Sequence, residues 1–255
     1  MRAERVTHRT PPGDSGAVTL FGHWLCPYSV RVSFALAERA VAHDVVDVPP
    51  TAARPPGYVV PTEFVEHSPL GEIPMVRIGA EYRADSLPIL DWLEDQVAGA
   101  PLRPSDPTER QRVHDMTSWI DAHVFPPMIG VYYGTRPERI AEAAAALTAA
   151  LAGLGDRLVD GPWLVGPGPT LAEATVVPVY VRLDGLVRLG FDGVVDPRVS
   201  AHAARVADLA GGRAVAWSTA QTDEFVGRFE AYRAHRRAPD GTSAEGEPTV
   251  APVRR

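Results

Sequence analysis

Cys26, the only cysteine of this 255-residue chain, occurs in the stretch FGHWLCPYSVRVSFALAE, where an apolar run gives way to a helical pattern. A thiol at a helix N-terminus faces backbone N–H groups that have no partner within the helix, and the positive end of the helix dipole. Both favour the thiolate, which is the nucleophilic form of the sulfur. Pro27 suits the first helical turn, because a residue there loses nothing by lacking an N–H. The pattern predicts an activated nucleophile; the alternative is a buried cysteine that serves only as a small apolar side chain.

The residue three positions after Cys26 decides which redox chemistry is open to it. A dithiol oxidoreductase carries a second cysteine there, whereas this chain has Ser29. No intramolecular disulfide can form, so a thioredoxin-like dithiol cycle is excluded. Cys26 can still form a mixed disulfide with a small thiol, or bind and activate one. Cys26, Tyr28 and Ser29 are therefore the candidate catalytic residues.

The elements around Cys26 form a predicted βαβ unit. An apolar strand before the cysteine, a helix after it and a second strand imply that the two strands run parallel in one sheet. A Pro-rich loop, a short helical piece, a tight hairpin that turns at Gly79–Ala80 and another helix follow. The predicted bounds are strand 17–22, helix 27–40, strand 43–48, helical piece 62–68, strands 75–78 and 81–83, and helix 86–97.

Beyond Pro107 the sequence predicts helices alone. The start of one is marked by Thr170–Glu173, a capping box in which the Thr hydroxyl and the Glu carboxylate accept from free N–H groups of the first turn. The predicted helices cover 107–130, 137–159, 170–189, 198–210 and 222–236. The chain then divides into a flexible N-terminus (1–16), a small α/β domain (17–98), a linker (99–106), an all-helical domain (107–236) and a disordered tail (237–255).

The composition excludes several classes of function. The formal net charge is −7, with 25 Arg and no Lys, which argues against broad binding to nucleic acid or to an anionic membrane surface. One cysteine excludes a disulfide framework, and no apolar run approaches the length of a membrane span or of a secretory signal. We expect a cytoplasmic protein. No Cys/His spacing indicates a metal site, and no glycine-rich loop indicates a nucleotide.

Several motifs occur together in an order that resembles the cytosolic glutathione transferase family. They are Cys26-Pro27-Tyr28-Ser29 at a strand-to-helix junction, Ile73-Pro74 before a strand, Asp85-Ser86 at the start of a helix, and an all-α half with a capping box. The resemblance covers about residues 17–235. It implies an N-terminal thioredoxin-like α/β domain, an all-α C-terminal domain and a homodimer. Cys26 is similar to the nucleophile of the cysteine-type, omega or glutaredoxin-like members, and Arg31–Leu36 is similar to the zeta (maleylacetoacetate isomerase) class.

The resemblance also implies a site for glutathione. Ile73-Pro74 corresponds to the family's cis-proline, which exposes a backbone edge to the cysteinyl part of the ligand, and Asp85-Ser86 to the pair that holds its γ-glutamyl end. The alternatives are a trans proline and a plain helix cap. Glu72 stands where the family often has Lys or Gln and would repel a carboxylate, while Arg54 is the only basic residue in the Pro-rich loop. These departures leave open another low-molecular-weight thiol, such as mycothiol.

The second substrate, a small electrophile, is expected between the domains. The candidate pocket residues are Trp119, His123, Phe125, Tyr132 and Tyr133 of the first helical segments, with His23 and Trp24 before the thiol. The alternative is that these aromatic residues pack in a helical core.

Taken together, the sequence predicts an enzyme that uses a low-molecular-weight thiol to conjugate, reduce or isomerise a small electrophile, and a place in specialised metabolism is compatible with this. The alternative is a non-catalytic binding or regulatory module with the same fold.

Overall fold

The computed structural model describes residues 16–158 and 161–237. The two predicted unstructured ends, 1–16 and 237–255, lie outside these ranges but for one residue each.

A four-stranded mixed sheet forms the core of the first half. The strands are β1 (Val18–Gly22), β2 (His43–Asp47), β3 (Met75–Ile78) and β4 (Glu81–Ala84), in the spatial order β2-β1-β3-β4. β1 pairs parallel to β2 and antiparallel to β3, and β3 and β4 form the antiparallel hairpin. The predicted βαβ unit and hairpin are therefore confirmed. β1 is buried along its whole length, and it ends at Gly22, four residues before the cysteine.

Three helices accompany the sheet, α1 (Pro27–Glu38), α2 (Thr62–His67) and α3 (Ser86–Gln96), together with a single 3-10 turn at Thr51–Ala53. Helix α1 is buried on two faces. Val32 and Leu36 pack against the sheet with Leu20. Val30 and Phe34 pack against the second half of the chain. The helix that follows Cys26 thus lies between the two halves of the molecule.

Among its described residues, the second half has helices and loops but no strand. The helices are α4 (Pro107–His123), α5 (Phe125–Tyr133), α6 (Pro137–Gly155), α7 (Leu171–Tyr180), α8 (Leu183–Arg188), α9 (Pro197–Ala207), α10 (Ala210–Val215) and α11 (Thr219–Arg237). The expected architecture, a thioredoxin-like α/β domain followed by an all-α domain, is confirmed. The proposed domain boundaries stay a prediction; in the structure α3 ends at Gln96 and α4 begins at Pro107.

Two segments that the sequence predicts as single helices are each divided into two helices in the structure. The segment 107–130 breaks at Val124, and α5 starts with Pro126 in its first turn, where a missing N–H costs no hydrogen bond. The segment 170–189 breaks at 181–182, soon after Pro178, which lies inside α7 and cannot donate a backbone hydrogen bond. The capping box at its start is confirmed: the Thr170 N–H donates to Glu173 Oε2 over 2.6 Å, and the Ala172 N–H donates to Thr170 Oγ1.

A buried ion pair joins the two halves. Arg31 of α1 is completely buried and pairs with Asp121 of α4. Its guanidinium lies 3.8 Å from the centre of the Phe125 ring and donates to Ser86 Oγ over 3.3 Å. The Arg31 side chain therefore contacts the start of α3, the last turn of α4 and the start of α5. Among the described residues, no helix is both long and apolar enough to cross a membrane.

The substitution Asp121→Asn tests this pair. It leaves a buried guanidinium without its countercharge, so the free energy of unfolding should fall by about 3–5 kcal/mol. Urea denaturation followed by circular dichroism measures the change. Glu142→Gln is the matched control, because Glu142 pairs with Arg139 on an exposed surface and such pairs contribute about 0–1 kcal/mol. Equal stability of Asp121→Asn and wild type would contradict the prediction.

Candidate active site

Cys26 is the N-cap residue of α1 and has extended backbone angles. Its own N–H donates to the His23 carbonyl over 3.0 Å, and its side chain makes no capping hydrogen bond. The residue is 7% exposed, and Sγ lies 3.7 Å from the carbonyl oxygen of Ile73. The sulfur is therefore at the head of its helix, as predicted, and the residue is buried.

The contact with Ile73 depends on the peptide bond that follows it. Ile73-Pro74 is cis, which confirms the interpretation of this dipeptide as the cis-proline. The next residue, Met75, begins β3, beside the end of β1. The backbone edge of residue 73 and the cysteine thus meet at one end of the sheet.

The start of α3 lies in the same neighbourhood. Asp85 has φ 72° and ψ 132°, a conformation that costs a residue other than glycine about 1–3 kcal/mol. Its carboxylate is exposed and makes no capping hydrogen bond, whereas Ser86 is buried and its hydroxyl accepts from Arg31. A strained, exposed acid at a helix start is an arrangement that functional sites favour.

Tyr28 and Ser29 point to different places. The Tyr28 ring packs 5.5 Å from that of Phe125. Burial raises the pKa of Tyr28 to about 12, against the opposing charge of Arg31, so the phenol is a donor at neutral pH. Ser29 lies on the buried face of α1. Its Oγ would lie 3.0 Å from a Cβ added at Gly22, so it packs against the end of β1.

The loop between β1 and α1 is held by two side chains. The Leu25 N–H donates to Nδ1 of His23 over 3.1 Å, and the Leu25 carbonyl accepts from Arg182 over 2.8 Å. Because Nδ1 accepts, the His23 ring is neutral with its proton on Nε2, which faces Asp47 at 3.8 Å. Burial lowers the pKa of His23, and the charge of Asp47 opposes this shift.

Six of the seven predicted pocket residues lie in three pairs. Tyr132 and Tyr133 lie together, and burial raises the pKa of each phenol. Trp119 and His123 stack on one another, with Trp119 under Arg157, two residues after the end of α6. His23 and Trp24 line a cavity against β2 and the segment before α11. Phe125 is buried beneath Arg31.

Helix α11 supplies aromatic residues that sequence reasoning did not assign. Phe229 lies 4.6 Å from Tyr132 and 4.9 Å from Tyr133, and Tyr232 lies 5.4 Å from Tyr133, measured between ring centres. The spacing of Phe225, Phe229 and Tyr232 along one helix face was the available signal.

The two departures from the family pattern, Arg54 and Glu72, make hydrogen bonds within their own loops. Arg54 is half-buried and its Nε donates to the Pro49 carbonyl over 3.2 Å. Glu72 is exposed, and its backbone carbonyl accepts from Ser68. The part of the chain that the structure describes contains no group of three His, Cys, Asp or Glu residues that could hold a metal ion.

Comparison with known proteins gives the same architecture in both halves. Residues 25–96 match the family model described as glutathione S-transferase, N-terminal domain, and residues 137–209 match that of the C-terminal domain. The maleylacetoacetate isomerase of Rhizobium meliloti is 27% identical over 176 residues, which are 62% of this chain and 78% of that protein.

Two solved structures show the shared fold. A glutathione transferase Omega 3C from Trametes versicolor superposes with a TM-score of 0.72 at 21% identity, over 89% of this chain and 94% of that one. A maleylacetoacetate isomerase from Methylobacterium extorquens AM1 was solved with bound malonate and glutathione. It superposes with a TM-score of 0.62 at 25% identity, over 77% of this chain and 95% of that one.

The lowered pKa of His23 makes the loop sensitive to acid. The unfolded chain takes up a proton at this ring at a higher pH than the folded chain does, so the wild type loses stability as the pH falls below about 6.5. His23→Asn offers an amide oxygen to the Leu25 N–H but cannot titrate. We expect the melting temperature of the wild type, relative to His23→Asn, to decrease between about pH 7.5 and about pH 5. Arg228 and Glu224 also act on this ring, with opposite signs.

Thermal unfolding at each pH measures this difference. His235→Asn, on the exposed end of α11, controls for the general effect of removing a histidine. A difference between wild type and His23→Asn that stays constant across this range would contradict the prediction.

Proposed function

The chain belongs to the glutathione S-transferase family, and we propose that it is a glutathione-dependent enzyme in which Cys26 is the nucleophile. The observation that carries the proposal is the position of Sγ, which lies at the head of α1 and 3.7 Å from the carbonyl of the residue before a cis-proline. The unpaired N–H groups of the first helical turn stabilise negative charge on the sulfur.

Glutathione fits this neighbourhood as an added strand. Its cysteinyl N–H donates to the Ile73 carbonyl, which otherwise accepts from the Cys26 thiol. Its γ-glutamyl carboxylate accepts from the first N–H groups of α3, where no acidic residue lies in the first turn. The exposed carboxylate of Asp85 pairs with the ligand's ammonium group. In this arrangement ligand binding removes the acceptor of the Cys26 thiol and brings a second sulfur beside it.

The reaction that a single cysteine supports best is removal of a glutathionyl group from a mixed disulfide. The Cys26 thiolate attacks the glutathionyl sulfur, a new disulfide forms, and the other thiol leaves as a thiolate and takes up a proton. A second glutathione thiolate then attacks this disulfide, releases oxidised glutathione and regenerates Cys26. Ser29 cannot resolve the intermediate, so the external thiol is required.

Isomerisation is the second candidate. Relatives over both halves of the chain are named maleylacetoacetate isomerases. In such a reaction glutathione adds to a carbon–carbon double bond next to a carbonyl, the bond rotates, and the thiol is eliminated unchanged. The aromatic residues Tyr133, Phe229 and Tyr232 would bound the small electrophile in either reaction.

The nucleophile is tested with Cys26→Ala and Cys26→Ser. Both variants should lose glutathione-dependent reduction of a mixed disulfide to the level of the uncatalysed reaction. Wild-type Cys26 should react with iodoacetamide at neutral pH faster than free cysteine does, and Cys26→Ala is the blank because it has no thiol. Full activity in Cys26→Ala would show that Cys26 is not the nucleophile. A wild-type protein that has no activity and whose thiol reacts no faster than free cysteine would favour a non-catalytic binding module.

The thiol is identified by thermal shift. A ligand present at a hundred times its Kd stabilises the folded state by about 2.7 kcal/mol, so saturating glutathione should raise the melting temperature clearly. The same measurement with mycothiol separates the two candidate thiols. If neither thiol raises the melting temperature, the proposed thiol site is wrong.

Glu72→Gln tests the unusual residue before Ile73. Removing an exposed negative charge beside the ligand should lower the Kd for glutathione about two- to five-fold, and added salt should diminish the gain. Isothermal titration at two salt concentrations measures this, with Glu142→Gln on α6 as the control. An unchanged Kd would place the ligand carboxylates away from residue 72.

The quaternary structure is also part of the proposal. We expect a two-fold homodimer, and analytical ultracentrifugation would then give twice the chain mass of 27.4 kDa.

A further inference from the structure

Arg182 is a buried cation without a carboxylate partner. It lies in the short link between α7 and α8 and has no solvent exposure. The two other buried arginines of the described residues each have a countercharge, Arg31 with Asp121 and Arg39 with Glu94. Arg182 instead donates to two backbone carbonyls, that of Pro178 and that of Leu25, each over 2.8 Å. Its Nε has no hydrogen-bond partner.

One of these two carbonyls belongs to the residue directly before Cys26. The guanidinium therefore binds the peptide unit that joins Leu25 to Cys26. Its carbon lies 4.8 Å from the centre of the Trp217 ring, which shields it from water. Burial lowers the pKa of Arg182 to about 10. Arg182 is thus still protonated at neutral pH.

Burying a cation without a countercharge is unfavourable, and two neutral carbonyls compensate only part of it. An anion that appears nearby during function supplies the rest. The Cys26 thiolate, on the residue after the carbonyl that Arg182 binds, would be such an anion. Because Arg182 is fully buried, it does not touch a small ligand and acts through the cysteine and its loop.

We propose that Arg182 is a positioning residue of the thiol site: it fixes the Leu25–Cys26 segment and supplies the positive charge that keeps the Cys26 sulfur ionised. This inference rests on the proposed role of Cys26 as the nucleophile. It means that the helical half of the protein contributes to the activation of the thiol, beyond forming a wall for the second substrate.

Substitutions of Arg182 separate its charge from its hydrogen bonds. Arg182→Gln retains an N–H donor but loses the charge, whereas Arg182→Lys retains the charge but loses the planar fork. The readout is the rate of alkylation of Cys26 by iodoacetamide between about pH 5 and about pH 10. In Arg182→Gln we expect the midpoint of the curve of alkylation rate against pH to move up by about one pH unit. Alkylation at neutral pH should then be about tenfold slower, while the rate at high pH stays unchanged. Arg182→Lys should stay close to the wild type.

Arg188→Gln is the matched control. Arg188 lies on α8, pairs with Asp223 on an exposed surface, and loses the same charge. Its alkylation curve should superpose on that of the wild type. A midpoint in Arg182→Gln equal to that of the wild type, or a larger shift in Arg182→Lys than in Arg182→Gln, would overturn the inference and leave Arg182 as a structural anchor.

A second measurement covers the case in which Arg182→Gln does not fold. Arg182→Met should lower the melting temperature less in a Cys26→Ala background than in the wild type, because there it no longer deprives a thiolate of its countercharge. A smaller decrease of the melting temperature in the Cys26→Ala background supports coupling between Arg182 and the thiolate. Folding of the double variant when Arg182→Met alone does not fold supports it too. The same loss in both backgrounds, including failure of both to fold, counts against it.

The outcomes also distinguish this inference from the proposed function. If wild-type Cys26 reacts no faster than free cysteine at neutral pH, the proposed nucleophile itself is wrong. If wild-type Cys26 reacts fast and Arg182→Gln follows the same curve, only the role of Arg182 is wrong.

Discussion

The backbone of Leu25 fixes the position of the thiol. Its N–H donates to His23 and its carbonyl accepts from Arg182, while the N–H of Cys26 donates to the His23 carbonyl. Each buried backbone group left without a partner would cost about 1–3 kcal/mol, so this loop has one favoured conformation. That conformation ends β1, starts α1 and holds Sγ beside Ile73. The site is therefore built by satisfying backbone polar groups at the junction of a strand and a helix.

Two buried arginines flank this junction and differ in how their charges are met. Arg31 is neutralised by Asp121 and joins α1 to the starts of α3 and α5 through Ser86 and Phe125. Arg182 is met by two carbonyl oxygens, one of which belongs to the residue before the cysteine. Arg31 stabilises the contact between the two halves, whereas Arg182, in the role proposed above, links the helical half to the reactivity of the thiol. Both depend on α1, which is buried between the sheet and the helical half.

Local signals predicted most of the fold. The strands, the hairpin, the cysteine at a helix start and the capping box each depend on neighbouring residues, and the structure has them close to the expected positions. The cis-proline was inferred from the family pattern. What the sequence could not indicate depends on distant pairs. Arg182 contacts a residue 157 positions away, and Trp119 packs towards α6 because of how α4 and α6 are arranged. Aromatic spacing alone cannot distinguish those two environments.

The placement of Arg182 has an evolutionary consequence. The sulfur and its helix belong to the first half of the chain, while the cation behind them belongs to the second, so neither half carries the complete electrostatic environment. A recombinant that joined this first half to the helical half of another relative would inherit the cysteine without its charge. Selection on thiol reactivity therefore acts on both halves at once, and compatible substitutions should arise in pairs across the boundary between them.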